Sequence, residues 1–384
     1  MLNALRNRKV RGILFQLLTV LGLVAFLWYI GSNTMHNIEQ RGIKTGFAFL
    51  DNSAGFGISE APVAYTETDT HGRVFFVGLL NTLIVSFYGI IFATILGILI
   101  GVLRLSNNWL IRKLSSAYID IFRNIPLLLQ ILFWYNVVLK ALPSPKQSME
   151  FKGDIFLNNR GLIIPSPDMN STTITIIISF LVALVSIYFL NRWAKKKQED
   201  TGNDFPTFLV SIGILVVLPI LAYFIGGANF NFDIPALKGF NFVGGKTISP
   251  EFLALTLALV IYTATFIAEA VRSGIEAVNK GQKEAAASIG LSSYQSLKLV
   301  VLPQAIRIAI PPVINQYLNL IKNSSLAAAI GYPEIVTLFS GTSLNQVGQA
   351  IEIIAITMLV YLTMSISVSV LLNWLNHKIK IKER

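Results

Sequence analysis

The run VFFVGLLNTLIVSFYGIIFATILGILIGVL, residues 74–103, carries no charged side chain over thirty positions. About twenty apolar residues in a helix cross the ~30 Å hydrocarbon core of a bilayer. This stretch therefore reads as a membrane span, and seven more apolar runs with at most two charges each read the same way: 12–31, 118–139, 172–190, 206–226, 252–271, 308–330 and 350–374. Charged residues make up only 13% of the chain, against about 25% in soluble globular proteins. The pattern excludes a soluble enzyme and a disordered chain. The expected fold is all-α, a polytopic membrane protein with about 8 transmembrane helices. The first run is too long for a signal peptide's apolar region and lacks a small-residue cleavage site after it, so it reads as a retained helix.

The net charge is +11. With the N-terminus placed inside, nineteen Lys and Arg fall on inner segments and seven on outer ones. The inner set includes Arg6, Arg104, Lys195, Arg272, Lys380, Lys382 and Arg384; the outer set includes Arg41 and Lys44. That bias obeys the positive-inside rule. An even number of spans returns the C-terminus to the cytoplasm. The positive charge is thus topology, with no nucleic-acid partner implied. The outer segment 32–72 is net acidic and reads as a linker; 141–171 is rich in Pro and Asn. The chain divides into an N-terminal helix with its acidic loop (1–73), a first core part (74–140), inserted loops with a helix pair (141–250) and a second core part (251–384).

There is no cysteine, which excludes disulfides, thiolate catalysis and iron–sulfur clusters. His36, His71 and His377 lack metal-ligand spacing, so neither a metal nor another cofactor is expected. A phosphate loop needs glycine five residues before the glycine that precedes Lys246. That position is Phe240, and the segment falls on the outer side. The chain is therefore not an ATPase, and no constellation of catalytic residues appears.

The most informative inner segment is 273–303. Glu284 to Ser288 is a strong helix-forming run. Gly290 can end it in the left-handed conformation. Ser292 with Gln295 makes a capping box for a second short helix, expected to end at Leu302-Pro303. The reading is two short helices about a glycine bend.

Glu284-Ala285-Ala286, then Gly290, then nine residues, then Val300-Val301-Leu302-Pro303, resembles the EAA loop of ABC importer permeases, with Val300 replacing the usual Ile. Gly78-Leu-Leu-Asn81-Thr82-Leu83 with Ser86, Tyr118-Ile-Asp120-Ile-Phe-Arg123-Asn-Ile-Pro126, Tyr262 to Gly274, and Lys322-Asn323-Ser324-Ser325-Leu326 are similar to polar amino-acid permeases. The extra spans, with Phe156-Leu-Asn158-Asn159-Arg160-Gly161, resemble permeases of general L-amino-acid importers. The resemblance implies a type I ABC importer permease fold in a bacterial inner membrane. It implies coupling to ATPase subunits through Glu284, Ala285, Ala286, Gly290, Leu302 and Pro303. The implied partners are a related permease subunit, two ATPase subunits and a periplasmic amino-acid-binding protein.

Other residues are weighed from position. Glu269 and Arg272 share a helix face near the inner end of a span, as a structural ion pair or a gate; Asp120 and Arg123 repeat that spacing. Lys322 lies well inside its run, where a charge is costly and usually lines a cavity. With Asn323, Ser324 and Ser325 it could meet a substrate carboxylate, or tie helices together. Asn81 and Thr82 could line a path or bond a neighbouring helix. Pro126 should kink its span, and Gly97 with Gly101 permits close helix contact. The rival class is an ion-gradient transporter, which needs acids near the membrane midplane; the central parts of the runs hold none.

Overall fold

The computed structural model describes residues 8–40, 42 and 45–379. Arg6, Arg41, Lys44, Lys380, Lys382 and Arg384, counted above for orientation, lie outside them. The helices are α1 (Arg8–Gln40), α2 (His71–Arg104), α3 (Trp109–Asn124), α4 (Leu127–Leu132), α5 (Ser171–Thr201), α6 (Thr207–Ile225), α7 (Pro250–Glu276), α8 (Lys280–Ser288), α9 (Ser293–Ser296), α10 (Leu302–Asn323), α11 (Leu344–Val347) and α12 (Ala350–Ile379). Among the described residues, seven helical runs are long and apolar enough to cross a membrane, and eight if a broken pair is counted as one. The broken pair is the expected third span. α3 stops at Asn124, and the helix resumes at Leu127 before a π-turn at Phe133–Leu139. Pro126 causes the break: it has no N–H and disfavours helical backbone at Ile125.

The chain forms two compact units, residues 1–123 with 260–384, and residues 124–259. In the first, α2 lies against the 260–276 part of α7 through its two small positions. A Cβ on Gly97 would stand 2.6 Å from Ile267 Cβ, and one on Gly101 2.7 Å from the Ala268 carbonyl oxygen. The segment 45–70 is not the free linker its composition suggests. Phe49 is buried against Ile335, Phe339 and Ile353, and Ala54 against Val74, Val77 and Leu338. Gly46 N–H donates to Glu352 (2.7 Å), and the Gln349 amide donates to the Gly46 carbonyl (3.1 Å). Two apolar anchors and a backbone clasp outweigh the polar composition around them.

In the second unit, α5 and α6 form a hairpin whose ends meet where the Thr172 hydroxyl donates to the Gly226 carbonyl (2.7 Å). The flanking segments carry short strands that the all-α reading did not foresee. β1 (Met149–Phe151), β2 (Ile155–Asn158), β3 (Gly161–Ile164) and β8 (Lys246–Ile248) form an antiparallel sheet in the order β1-β2-β3-β8. β4 (Ser166–Pro167) pairs with β5 (Phe232–Asp233), and β6 (Ala236–Lys238) with β7 (Asn241–Val243). The near-phosphate-loop at 239–247 spans the β6–β7 turn, β7 and the start of β8, so Lys246 opens a strand where a phosphate loop needs the first turn of a helix.

Candidate functional site

The segment after α7 builds its bend as the residue types dictate. The Asn279 side chain accepts from Gly281 N–H (2.8 Å) and starts α8. At the other end, Leu291 N–H donates to the Ala286 carbonyl (3.1 Å) and Gly290 N–H to the Ala287 carbonyl (3.0 Å). These two bonds close a Schellman motif, and Gly290 sits at φ +81°, where a side chain costs about 1–2 kcal/mol. Ser292 and Gln295 then exchange both bonds of the expected capping box. The second helix departs from expectation. α9 does not stop at Leu302-Pro303 but runs through a π-turn at Leu297–Val301 into α10. Leu302 N–H reaches back five residues to the Leu297 carbonyl. Pro303 falls in the first turn of α10, where a missing N–H is tolerated.

Val278, Val301 and Ala305 close the base of the loop as a small buried cluster. Glu284 and Ala285 are exposed while Ala286 is buried. At the tip, Ile289 is 77% and Tyr294 70% exposed. Single exposed apolar residues are ordinary, but two beside an alanine-lined bend form a surface suited to another protein. Neither residue was among the sequence candidates.

Directly before the loop lies a charge network. Glu269 on α7 accepts from Arg104 at the end of α2 and from Arg272, and Arg272 also holds Glu276. Arg272 Nε stands 3.3 Å from Glu269. The expected Glu269–Arg272 contact is thus part of a larger tie that joins α2 to the root of the loop through Arg104, which the sequence offered only as a topological charge. Arg123 lies over the Phe266 ring, 5.0 Å from its centre.

Asn81 and Thr82 are buried on α2. The Asn81 amide donates to the carbonyls of Glu60 and Pro333, both at 2.8 Å. Thr82 donates to the Gly78 carbonyl (2.8 Å) and accepts from Ile335 N–H (3.2 Å). Ser324 and Ser325 close onto the carbonyls of Ile321 and Lys322, each at 2.7 Å. Lys322 is exposed in the last turn of α10, beside Asn323. Twenty residues separate it from Leu302, about 30 Å of helix. A mainly apolar cavity of 280 Å³ is lined by Leu83, Ser86, Ile321, Met364 and Val368 among others, while Asn81, Thr82 and Lys322 to Ser325 do not line it. The Ser86 hydroxyl there is buried without a hydrogen-bond partner among the described residues.

Glu334 was not among the candidates. It lies between the last two spans, in an otherwise uncharged stretch after Pro333, and is fully buried. Its carboxylate accepts from Val336 N–H (2.9 Å), Thr337 N–H (2.8 Å), the Thr337 hydroxyl (3.0 Å) and the Tyr361 hydroxyl (3.1 Å). It therefore caps the turn that begins at Val336. Burial pushes it above the ordinary glutamate value, to about 6, against the pull of those donors. A raised acid adds most stability below its unfolded value near 4.5 and loses it as pH rises through 6. The expected loss is about 2 kcal/mol at 1.36 kcal/mol per unit. Thermal denaturation of the purified protein should show the stability of wild type relative to Glu334→Gln falling by this amount between pH 4.5 and 7; a difference that does not change with pH would refute it.

A family profile described as "Binding-protein-dependent transport system inner membrane component" matches residues 203–381. The chain is 52% identical over 378 residues to the putative amino-acid ABC transporter permease protein YhdX of Escherichia coli (strain K12), covering 98% of this chain and 96% of that one. It is 47% identical over 382 residues to the general L-amino acid transport system permease protein AapQ of Rhizobium johnstonii, covering 100% and 95%. It is 39% identical over 409 residues to the glutamate/glutamine/aspartate/asparagine transport system permease protein BztB of Rhodobacter capsulatus, covering 98% and 96%. A solved amino-acid ABC transporter with histidines is 20% identical at a TM-score of 0.48, over 80% of this chain and 95% of that one.

Proposed function

The chain belongs to the binding-protein-dependent transport system inner membrane components, as an amino-acid ABC transporter permease, and on that premise we propose that it forms half of an ATP-driven import path for L-amino acids. A separate ATPase subunit seats on the α8–α9 bend, and a related permease supplies the other half of the path. A second ATPase subunit and a periplasmic amino-acid-binding protein complete the assembly. Both termini of the chain face the cytoplasm. The observation that carries this reading is the bend itself: two capped helices about Gly290, with Ile289 and Tyr294 exposed at the tip.

Nucleotide binding pulls the bend, and the cluster of Val278, Val301 and Ala305 passes the displacement to α7 and α10. The Arg104–Glu269–Arg272 tie carries it on to α2. The membrane helices then alternate in access. Along the path, Lys322 attracts the substrate carboxylate, and Asn323, Ser325 and Ser86 offer polar contacts, while Ser324, fully buried on the Ile321 carbonyl, holds the turn beneath them. Asn81 and Thr82 hold the 333–335 backbone that frames that end of the path. The ion-gradient alternative needs an acid open to the path. Glu334, the buried acid beside it, has its carboxylate held by four donors.

Reconstituting the permease with candidate ATPase and binding-protein partners in liposomes tests the reading. Uptake of labelled L-amino acid should require ATP inside the cytoplasmic-facing compartment. Uptake on a proton or sodium gradient without ATPase would replace it with the rival. In the same system, Lys322→Met should raise the KM for an acidic amino acid about tenfold or more while the ATPase still co-purifies. An unchanged KM would remove Lys322 from the path.

A further inference from the structure

The α5–α6 hairpin has no part in the mechanism above, yet its turn end is built in an ordered way. α5 has 31 residues, about 46 Å of helix at 1.5 Å per residue, against a hydrocarbon core of ~30 Å. Its apolar part ends at Leu190, so the turns from Asn191 onward stand at and beyond the headgroups. Arg192, Lys195 and Lys196 are spaced so as to share one helix face. All three are exposed and none forms an ion pair among the described residues. Lys197 is held apart, with its ammonium 4.9 Å from the Trp193 ring centre, and Trp193 meets Phe205 edge-on at 5.2 Å. That aromatic pair fixes the depth of the turn at the membrane surface.

Between the last turns of α5 and the returning chain lies a cavity of 470 Å³, lined by Asn191, Lys195, Gln198, Asp204 and Thr207 among others. Asp204 is engaged by the Gln198 amide. Glu199 and Asp200 fall about a turn beyond the basic residues, farther from the bilayer. Along α5 the basic residues thus lie nearer the bilayer than Glu199 and Asp200, while Asp204, three residues before α6, lines the cavity with Lys195. An inner leaflet rich in anionic lipid attracts such a basic cluster, by roughly fivefold per Lys or Arg near the surface.

We propose that Arg192, Lys195 and Lys196, with the adjoining cavity, bind the phosphate headgroup of an anionic phospholipid. The occupant is a lipid because the site lies at the headgroup level, where acyl chains run alongside the exposed apolar face of α5, including Leu184, Val185 and Tyr188. The proposal rests on the membrane setting of the family and not on the direction or substrate of transport.

The test is native mass spectrometry of the purified transporter complex titrated with phosphatidylglycerol or phosphatidylcholine. Wild type should retain phosphatidylglycerol in a saturable step, tighter than phosphatidylcholine. R192Q/K195Q/K196Q should reduce that preference roughly a hundredfold, by the same per-residue factor. Adding E199Q, D200N and D204N restores the net charge of the turn without the basic face, and the preference should stay lost. A single cysteine placed at Thr201 reports topology, since the chain has no other thiol, and its labelling should be unchanged in both variants. Equal retention of the two lipids by wild type would overturn the proposal. So would an unaltered preference in the triple variant, or recovery in the charge-restored variant, which would show that net charge alone acts.

Discussion

Gly290→Pro is expected to reduce ATP-driven uptake to background, a loss of about a hundredfold or more, with the membrane subunits still assembled. Gly290 holds φ at +81°, whereas proline is fixed near −65°. The substitution also removes the N–H that bonds the Ala287 carbonyl, one of the two bonds that end α8. No heavy atom outside the chain neighbours lies within 4 Å of a Cβ built there, so the damage is conformational and not a clash. The effect should therefore be graded. Gly290→Asn, which tolerates the left-handed region, should keep a substantial share of uptake, and Gly290→Val should fall between the two. Pull-down of the ATPase with each variant supplies the second readout. Equal ATPase capture and equal uptake by wild type and the proline variant would show that the bend is not the coupling element.

The second large effect lies in the bilayer. Gly101→Val should prevent stable assembly, lowering the melting temperature of the detergent-purified protein by about four degrees or more or abolishing its accumulation. A Cβ at Gly101 meets the Ala268 carbonyl oxygen at 2.7 Å and Ala268 Cα at 3.1 Å. Backbone cannot swing aside, so α2 and α7 must separate, and overpacking of this kind costs about 1–3 kcal/mol or more. At Gly97 the obstacle is the Ile267 side chain, 2.6 Å away at its Cβ. Because a Cβ moves only with its own backbone, Gly97→Ala should destabilise about as much as the same change at Gly101. A Gly101→Val protein melting within two degrees of wild type would mean that the two helices do not pack as described.

The spans were legible in the sequence because bilayer thickness turns composition directly into length. The bend at Gly290 was legible because its caps are local: Asn279, Gly290, Ser292 and Gln295 act on residues within a few positions. The proline break at Ile125–Pro126 followed for the same reason. Long-range pairing was not legible. Arg104 meets Glu269 across 165 positions, and nothing near either residue announces the other. Glu334 hides in a short segment between spans, where its role as a cap depends on Tyr361 and on burial that the neighbouring helices create. The strands around the hairpin are two to four residues long, too short for an alternating pattern to stand out among Pro, Asn and Gly. The exposed Ile289 and Tyr294 could have been found by asking which apolar residues sit beside the glycine of the bend.

The π-turn at Leu297–Val301 has a consequence for how this loop can change by deletion. A helix turns about 100° per residue. Losing one residue from 297–301 would let the wide turn relax to an ordinary α-helix, with α10 and every span left intact in length and composition. The turn would still close about once around the axis, with one residue fewer, so the bend around Gly290 would keep nearly its original heading. The extra residue at 297–301 therefore acts as slack in the chain, which the wide turn takes up without re-aiming the helices on either side. A residue inserted into the regular part of α10, with no wide turn to hold it, would instead swing the bend by about 100°.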